Sequence, residues 1–296
     1  MALKHLLLGI LVTAIWGANF SVIRLGLADL DPFVLACARF ALSAFPLILF
    51  VPRPSGMRWV AVYGALFGGG LWGLVNLGIH AGVAAGLASL LLQLSAFFTI
   101  ALASLVLGER IGRQQWLGMA LAGLGLALIM AVGEPGASRP GLLLIVAAAF
   151  AWSVCNLIVR RAKPADMFAF LVWACAYATL ALLVLTLWAR GAAPFARLLD
   201  ATGAAALFSI GFQAWVTTLF GYWVWNSLMK TYPVSQVAPL SLLVPVAGLL
   251  TSHLAYGETI GAAKLLAALC ILSGIGVMFF GARLAFWRRA PAGCPR

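Results

Sequence analysis

Charge is what this chain has least of. Only 9% of its 296 residues are Asp, Glu, Lys or Arg, and only seven are acidic. Asp29, Asp31, Glu109, Glu134, Asp166, Asp200 and Glu258 fall singly or locally between apolar stretches. No two are placed for paired acid and base work, so an enzymatic constellation is not indicated. His5, His80 and His253 have no Cys or carboxylate neighbour at ligand spacing, which counts against a metal site. Five cysteines are an odd number, and Cys37, Cys155, Cys175 and Cys270 lie inside apolar runs, where a thiol packs as a small apolar group. No disulfide framework and no cofactor is expected.

What is present is apolar. Hydrophobic residues make up 64% of the chain and the mean hydropathy is +1.08, values that exclude a water-soluble domain of this length. A helix needs about 20 apolar residues to cross the ~30 Å hydrocarbon layer. Runs of that kind read at 5–25, 32–51, 58–79, 84–107, 113–132, 141–159, 167–188, 203–228, 234–256 and 260–283, which predicts an all-α membrane protein of ten transmembrane helices. The breaks carry turn formers: Asp31-Pro32, Pro52-Arg53-Pro54-Ser55-Gly56, Gly133-Glu134-Pro135-Gly136 and Lys163-Pro164-Ala165-Asp166. They are too short for an extramembranous domain. The first run holds Asn19 and Arg24 and lacks a clear small-x-small cleavage site, so it reads as helix 1 and not as a signal peptide.

A net charge of +12 invites a nucleic-acid reading, but the basic residues are sorted by side. With the N-terminus inside, one side collects Lys4, Arg53, Arg58, Arg110, Arg113, Arg160, Arg161, Lys163, Lys230, Arg283, Arg288, Arg289 and Arg296. The other collects Arg24, Arg139, Arg190, Arg197 and Lys264, and Arg39 is left within a helix. Thirteen against five predicts both termini in the cytoplasm of a multi-pass inner-membrane protein. The excess charge meets anionic lipid, and the expected partners are the bilayer and a small solute, not nucleic acid.

The chain is doubled. Gly108-Glu109-Arg110-Ile111-Gly112 returns as Gly257-Glu258-Thr259-Ile260-Gly261, each time between the fourth and fifth apolar runs of a half. Trp16 precedes Arg24 by eight residues, Trp152 precedes Arg160 by eight, and Asn19 and Asn156 lie between. Five crossings are an odd number, so the second half, 141–283, is expected to be inverted relative to the first, 5–132.

These features resemble the EamA-type carriers of the drug/metabolite transporter superfamily: the doubled ten-helix plan, the start Ala14 to Phe20, Arg39 in helix 2, and the two Gly-Glu-x-Ile-Gly turns. The resemblance covers residues 5 to 283 and is greatest to the aromatic amino-acid exporters. It implies two EamA-like repeats around one cavity and export of aromatic and other apolar or neutral amino acids by alternating access. The family usually carries a proline in the middle of helices 4 and 9; Pro245 matches, whereas Ala96 stands at the first position, which predicts a straighter helix 4.

Helical spacing nominates the site. In helix 3, Trp72, Asn76 and His80 recur at i, i+4 and i+8; in helix 4, Ser89, Gln93 and Phe97 do so. Helix 8 adds Gln213 and a stripe of Trp215, Thr218, Tyr222 and Asn226, and Trp16, Asn19, Trp152 and Asn156 approach the midplane from both halves. Amide groups offer hydrogen bonds to a zwitterion, and indole faces offer contact to a flat side chain or a cation. Trp59, Trp188, Trp223, Trp225 and Trp287 lie near span ends and read as interfacial anchors. Arg39 reads as a side chain that reaches outward to Asp29 or Asp31 or braces backbone carbonyls, with a substrate carboxylate as the alternative. Glu109 and Glu258 read as turn residues beside a helix dipole. Pro239 and Pro245 mark helix 9 as the gate. Every carboxylate falls in a loop, and His80 and His253 lie close to helix ends, so no obligatory proton or sodium coupling is expected. A drug, sugar or other metabolite carrier of the same superfamily, and an enzyme embedded in the bilayer, are the alternatives. Ten helices around one cavity can work as a monomer.

Overall fold

The ends of the apolar runs are fixed by capping side chains. The Asp31 carboxylate accepts hydrogen bonds from the amides of Phe33 and Val34 at 2.9 and 3.4 Å, and Pro32 opens the helix where an N–H would have no partner. Asp166 does the same in the second half, accepting from Phe168 and Ala169 at 2.9 and 3.1 Å. The computed structural model describes residues 1–108, 111–132, 138–200, 203–232, 237, 240–241 and 243–289. Pro239 and Glu109 lie outside them.

The helices are α1 (Leu3–Gly26), α2 (Pro32–Ala44), α3 (Met57–His80), α4 (Ala85–Val106), α5 (Arg113–Val132), α6 (Arg139–Ala162), α7 (Met167–Arg190), α8 (Ala204–Gly211 continuing to Gly221–Thr231), α9 (Leu243–Tyr256) and α10 (Ala262–Arg289). No strand occurs among the described residues. Among the described residues seven spans are long and apolar enough to cross a membrane, with α2 counted on through Leu49, and α9 and Ala262–Val277 of α10 are shorter apolar helices. A further short helix, Ala193–Asp200, occupies what the sequence left as a loop between α7 and α8.

Packing reveals the doubling in three dimensions. Helix α1 packs on α9 and α8, and α6 packs on α4 and α3; α2 packs on α7 and α8, and α7 on α2 and α3; α4 meets α9, and α5 meets α10. Exchanging each helix with the one five places along leaves these pairings unchanged. Hydrogen bonds between loops give the directions. On one side the Tyr232 hydroxyl, after α8, lies 2.7 Å from His5 Nδ1 at the start of α1. On the other, Arg190 at the end of α7 pairs with Asp31 at 2.6 Å, and Arg24 at the end of α1 pairs with Glu258. Helices α1 and α7 therefore run together and α8 runs against them, as an inverted second repeat requires.

Close approach depends on glycine at the tightest crossings. A Cβ at Gly17 would collide with the Val244 carbonyl of α9, and one at Gly64 with the Ala174 carbonyl of α7.

Four helices depart from the sequence reading. Helix α2 stops at Ala44 and continues only as a 3-10 turn, Leu47–Leu49, because Pro46 forces the residue before it out of helical geometry. Helix α4 is broken without a proline: it divides into Ala85–Leu92 and Ser95–Leu107, joined by i to i−3 bonds from Gln93, Leu94, Ala96 and Phe97. Both α3 and α8 contain a π-helical stretch, Leu66–Gly73 and Phe212–Phe220, at matching places in the two repeats.

Candidate functional site

At the break in α4, Gln93 and Ser95 line a cavity of about 490 Å³ between the two repeats. Seven of its eighteen lining residues are aromatic: Trp16 and Phe20 from α1, Tyr63 and Trp72 from α3, Trp152 from α6, Tyr222 and Trp225 from α8. The Trp16 ring lies 5.2 Å from both Tyr222 and Trp225, and Phe20 lies 6.2 Å from Trp72. The Trp16 indole N–H donates to the Thr217 carbonyl at 3.1 Å, inside the π-helical stretch of α8, which fixes that ring against the wall. Asn156 lines the cavity and donates to the Thr99 hydroxyl at 3.3 Å.

The cavity is open toward one side of the protein and closed toward the other. Its lining runs out to Val159, exposed Arg160 and Met167, at the loop that joins α6 to α7. That is the side on which Tyr232 meets His5. Toward the opposite side the lining ends at Phe20, Leu71 and Trp72. Beyond them Glu258 accepts from Arg24, from the Ser252 hydroxyl and from the Ala85 amide, the last at 3.3 Å. Arg24 also stacks over Tyr256 at 4.2 Å, whose hydroxyl donates to the Ser21 carbonyl at 2.8 Å. Glu258 is thus more than a turn residue: it ties α1, α4 and α9 together across the closed end.

Of the residues nominated from the sequence, the structure brings Trp16, Trp72, Gln93, Trp152, Asn156 and Tyr222 together on the cavity wall. It places others behind that wall. Asn19 accepts from the Thr217 hydroxyl at 3.0 Å, Asn76 donates to the Pro32 carbonyl at 3.0 Å, Gln213 donates to the Ser209 hydroxyl at 2.9 Å, and Phe97 is buried. Asn76 and Phe97 share a spacing with Trp72 and Gln93, and Asn19 and Gln213 share their depth, but neither spacing nor depth fixes direction in helices with protein on several sides. His80 is exposed and borders a separate hollow of about 350 Å³ with Asp29, Asp31 and Arg190. In α8 the π-helical stretch changes the register, so the expected stripe splits: Trp215 is 56% exposed, Thr218 is buried, and Tyr222 reaches the cavity. The Asn226 side chain lies outside the described residues. Pro245 is in the first turn of α9, where a missing N–H breaks no helical bond, so it does not mark a mid-helix bend.

Other wall residues lie beyond the sequence reading: Phe20, Tyr63, Ser95 and Thr217 fall outside the site stripes, and Trp225 reads there as an interfacial anchor. Helix α8 runs on to Thr231, which leaves Trp225 well inside it.

Arg39 departs furthest from expectation. It is fully buried and reaches neither Asp29 nor Asp31, because Asp31 is paired with Arg190. Its Nε and Nη2 donate to the Thr218 hydroxyl at 3.1 and 2.9 Å, and Nη1 donates to Gln213 Oε1 at 3.4 Å. Its guanidinium lies over the Trp72 ring at 4.2 Å. A charge at this depth costs on the order of 3 kcal/mol or more. Two side-chain hydrogen-bond partners and an indole face offset part of that cost, and no carboxylate among the described residues offsets the rest.

Known proteins share this architecture and much of this sequence. A probable amino-acid metabolite efflux pump of Salmonella typhimurium is 37% identical over 96% of this chain and 97% of its own length. Its namesake in Escherichia coli is 35% identical over 98% of both chains. A probable terminal-alkyne amino-acid exporter of Streptantibioticus cattleyicolor is 29% identical over 80% of this chain and 81% of its own. A solved crystal structure, 16% identical, superposes with a TM-score of 0.64 over 96% of this chain and 99% of that one, which shows the same fold. The model of the EamA-like transporter family matches twice, over residues 3–131 and 139–280, and the chain belongs to that family.

Proposed function

We propose that this protein exports neutral amino acids, aromatic and other apolar ones, from the cytoplasm through the central cavity by alternating access. The observation that carries the reading is the cavity itself: four indole and two phenol side chains in its wall, Gln93 and Asn156 amides among them, and one open end. Pockets of 300–1,000 Å³ with a few polar groups in an apolar wall suit small organic ligands. The wall has flat faces for an apolar side chain and hydrogen-bonding groups for a zwitterion. The names of the relatives from Salmonella typhimurium, Escherichia coli and Streptantibioticus cattleyicolor point to the same substrate class.

The excess of basic residues supports an orientation in the inner membrane with the open end in the cytoplasm and the Glu258 network outside. The state described is then the loading state of an exporter. The described cavity wall contains no carboxylate or histidine that would carry a proton with the substrate, so the reading includes transport down the substrate gradient without obligatory ion coupling.

Counterflow in proteoliposomes tests this reading. With no pH, sodium or voltage gradient, labelled phenylalanine, tyrosine or leucine should exchange saturably, and Trp152→Ala should slow exchange about tenfold. Exchange of sugars or cationic drugs in place of amino acids would overturn the substrate class. Amino-acid exchange that requires an imposed proton or sodium gradient would overturn the absence of coupling.

A further inference from the structure

The buried guanidinium of Arg39 has more hydrogen-bonding capacity than its neighbours use. A guanidinium carries five N–H donors, and here three hydrogen bonds engage it, all to neutral side chains. Those acceptors are themselves held in place. The Thr218 hydroxyl donates to the Gln213 carbonyl at 2.8 Å, and the Gln213 amide donates to the Ser209 hydroxyl at 2.9 Å. The charge is therefore fixed in position as well as buried.

Trp72 is the layer between this charge and the cavity. Its ring carries Arg39 at 4.2 Å and also forms part of the cavity wall. Its indole N–H is buried and has no acceptor among the described residues. An aromatic face beneath a guanidinium is already occupied by a cation, so the ring no longer attracts a second one. The described cavity wall contributes no carboxylate, whereas Arg160 lies at its open end. At the far side of the wall, Trp16 and Trp225 carry no stacked cation among the described residues.

We infer that Arg39, acting across Trp72, selects substrates that carry a carboxylate and sets their orientation, with the carboxylate on the cavity side of Trp72 and the ammonium toward Trp16 and Trp225. Arg39 is a positioning residue here, because it touches Trp72 and not the cavity. This inference rests on the amino-acid reading given above and deepens it. A carboxylate against the exposed side of the ring would lie about 8 Å from the guanidinium, and at an effective dielectric of about 20 a unit charge at that distance changes affinity roughly thirtyfold.

Three probes separate charge from shape: phenylalanine, its methyl ester and phenethylamine, measured for binding to purified protein and for exchange in proteoliposomes. The wild type should prefer phenylalanine to both amines by about tenfold or more. Arg39→Gln should reduce that ratio to within about threefold, and Arg39→Lys, which keeps the charge, should retain most of it. A merely structural Arg39 would lower stability or rate in both variants and leave the ratio unchanged, and that result overturns the inference. Should Arg39→Gln fail to fold, the wild type measured with 3-phenylpropionate, a carboxylate without the ammonium, keeps the question open to test. It should bind about tenfold better than phenethylamine, whereas equal or weaker binding would overturn the inference. A wild type that exchanges phenylalanine without preferring it to the ester would refute the role of Arg39 alone. A wild type that binds none of the three would refute the amino-acid reading, and this inference with it.

Discussion

A tryptophan near the end of a membrane span ordinarily anchors it at the interface, and Trp188, 84% exposed, fits that rule. Trp225 does not. It is half-buried, packs 5.2 Å from Trp16 and lines the cavity, because α8 continues to Thr231 and carries the ring inward. The sequence made residue type and approximate depth legible, which is why Trp16, Trp72, Gln93, Trp152, Asn156 and Tyr222 were found. It left direction illegible, which is why Asn19, Asn76 and Gln213, at similar depth, prove to hold helices together. Loss of an aromatic contact in a binding wall costs about 1–1.5 kcal/mol beyond the buried area, close to a tenfold change in affinity. Trp225→Ala should therefore raise the KM for phenylalanine exchange about tenfold. Trp188→Ala should leave it unchanged, and equal effects of the two in a counterflow assay would remove Trp225 from the site.

Periodicity along an apolar run identifies a helix but not the winding within it. The two π-helical stretches, Leu66–Gly73 and Phe212–Phe220, occupy corresponding helices of the repeats, and neither contains a proline that would announce it. Each has a consequence at the site. The first contains Trp72, and the second offers the Thr217 carbonyl to Trp16. The break in α4 at Gln93 and Leu94 was equally hidden, since Ala96 stands where the related carriers bend at a proline. A π-helical stretch carries an i to i+5 bond pattern and behaves as an α-helix with surplus chain. Deleting Gly69, where a Cβ would meet only the Leu185 side chain at 4.0 Å, should restore α-helical winding while the flanking turns keep their packing on α6 and α7. Thermal stability of the purified protein should stay near that of the wild type, and phenylalanine exchange should fall by at least tenfold because Trp72 loses its place. Unaltered exchange would show that the wide turn has no part in transport.

The doubling was legible because two short turns repeat, but the two ends of the protein differ in one conformation. Glu258 gathers Arg24, Ser252 and the Ala85 amide at the closed end, while the cavity opens at the end where Arg160, the counterpart of Arg24, is exposed. A protein that alternates between two such states has to separate Arg24 from Glu258 in order to release substrate on that side. An exposed ion pair contributes little stability by itself, about 0–1 kcal/mol, but Glu258 is only 12% exposed and spans three helices, so its rupture is tied to their movement. Replacing Arg24 and Glu258 by cysteine, in a background without the native cysteines, and joining them with a short bis-maleimide should hold this end shut. Exchange should stop, while phenylalanine still binds from the open side with near wild-type affinity. The single-cysteine variants treated with the same reagent supply the control and should keep exchanging. Cross-linked protein that exchanges substrate at the normal rate would mean that the Glu258 end never opens, and the route through the membrane would have to leave the cavity elsewhere.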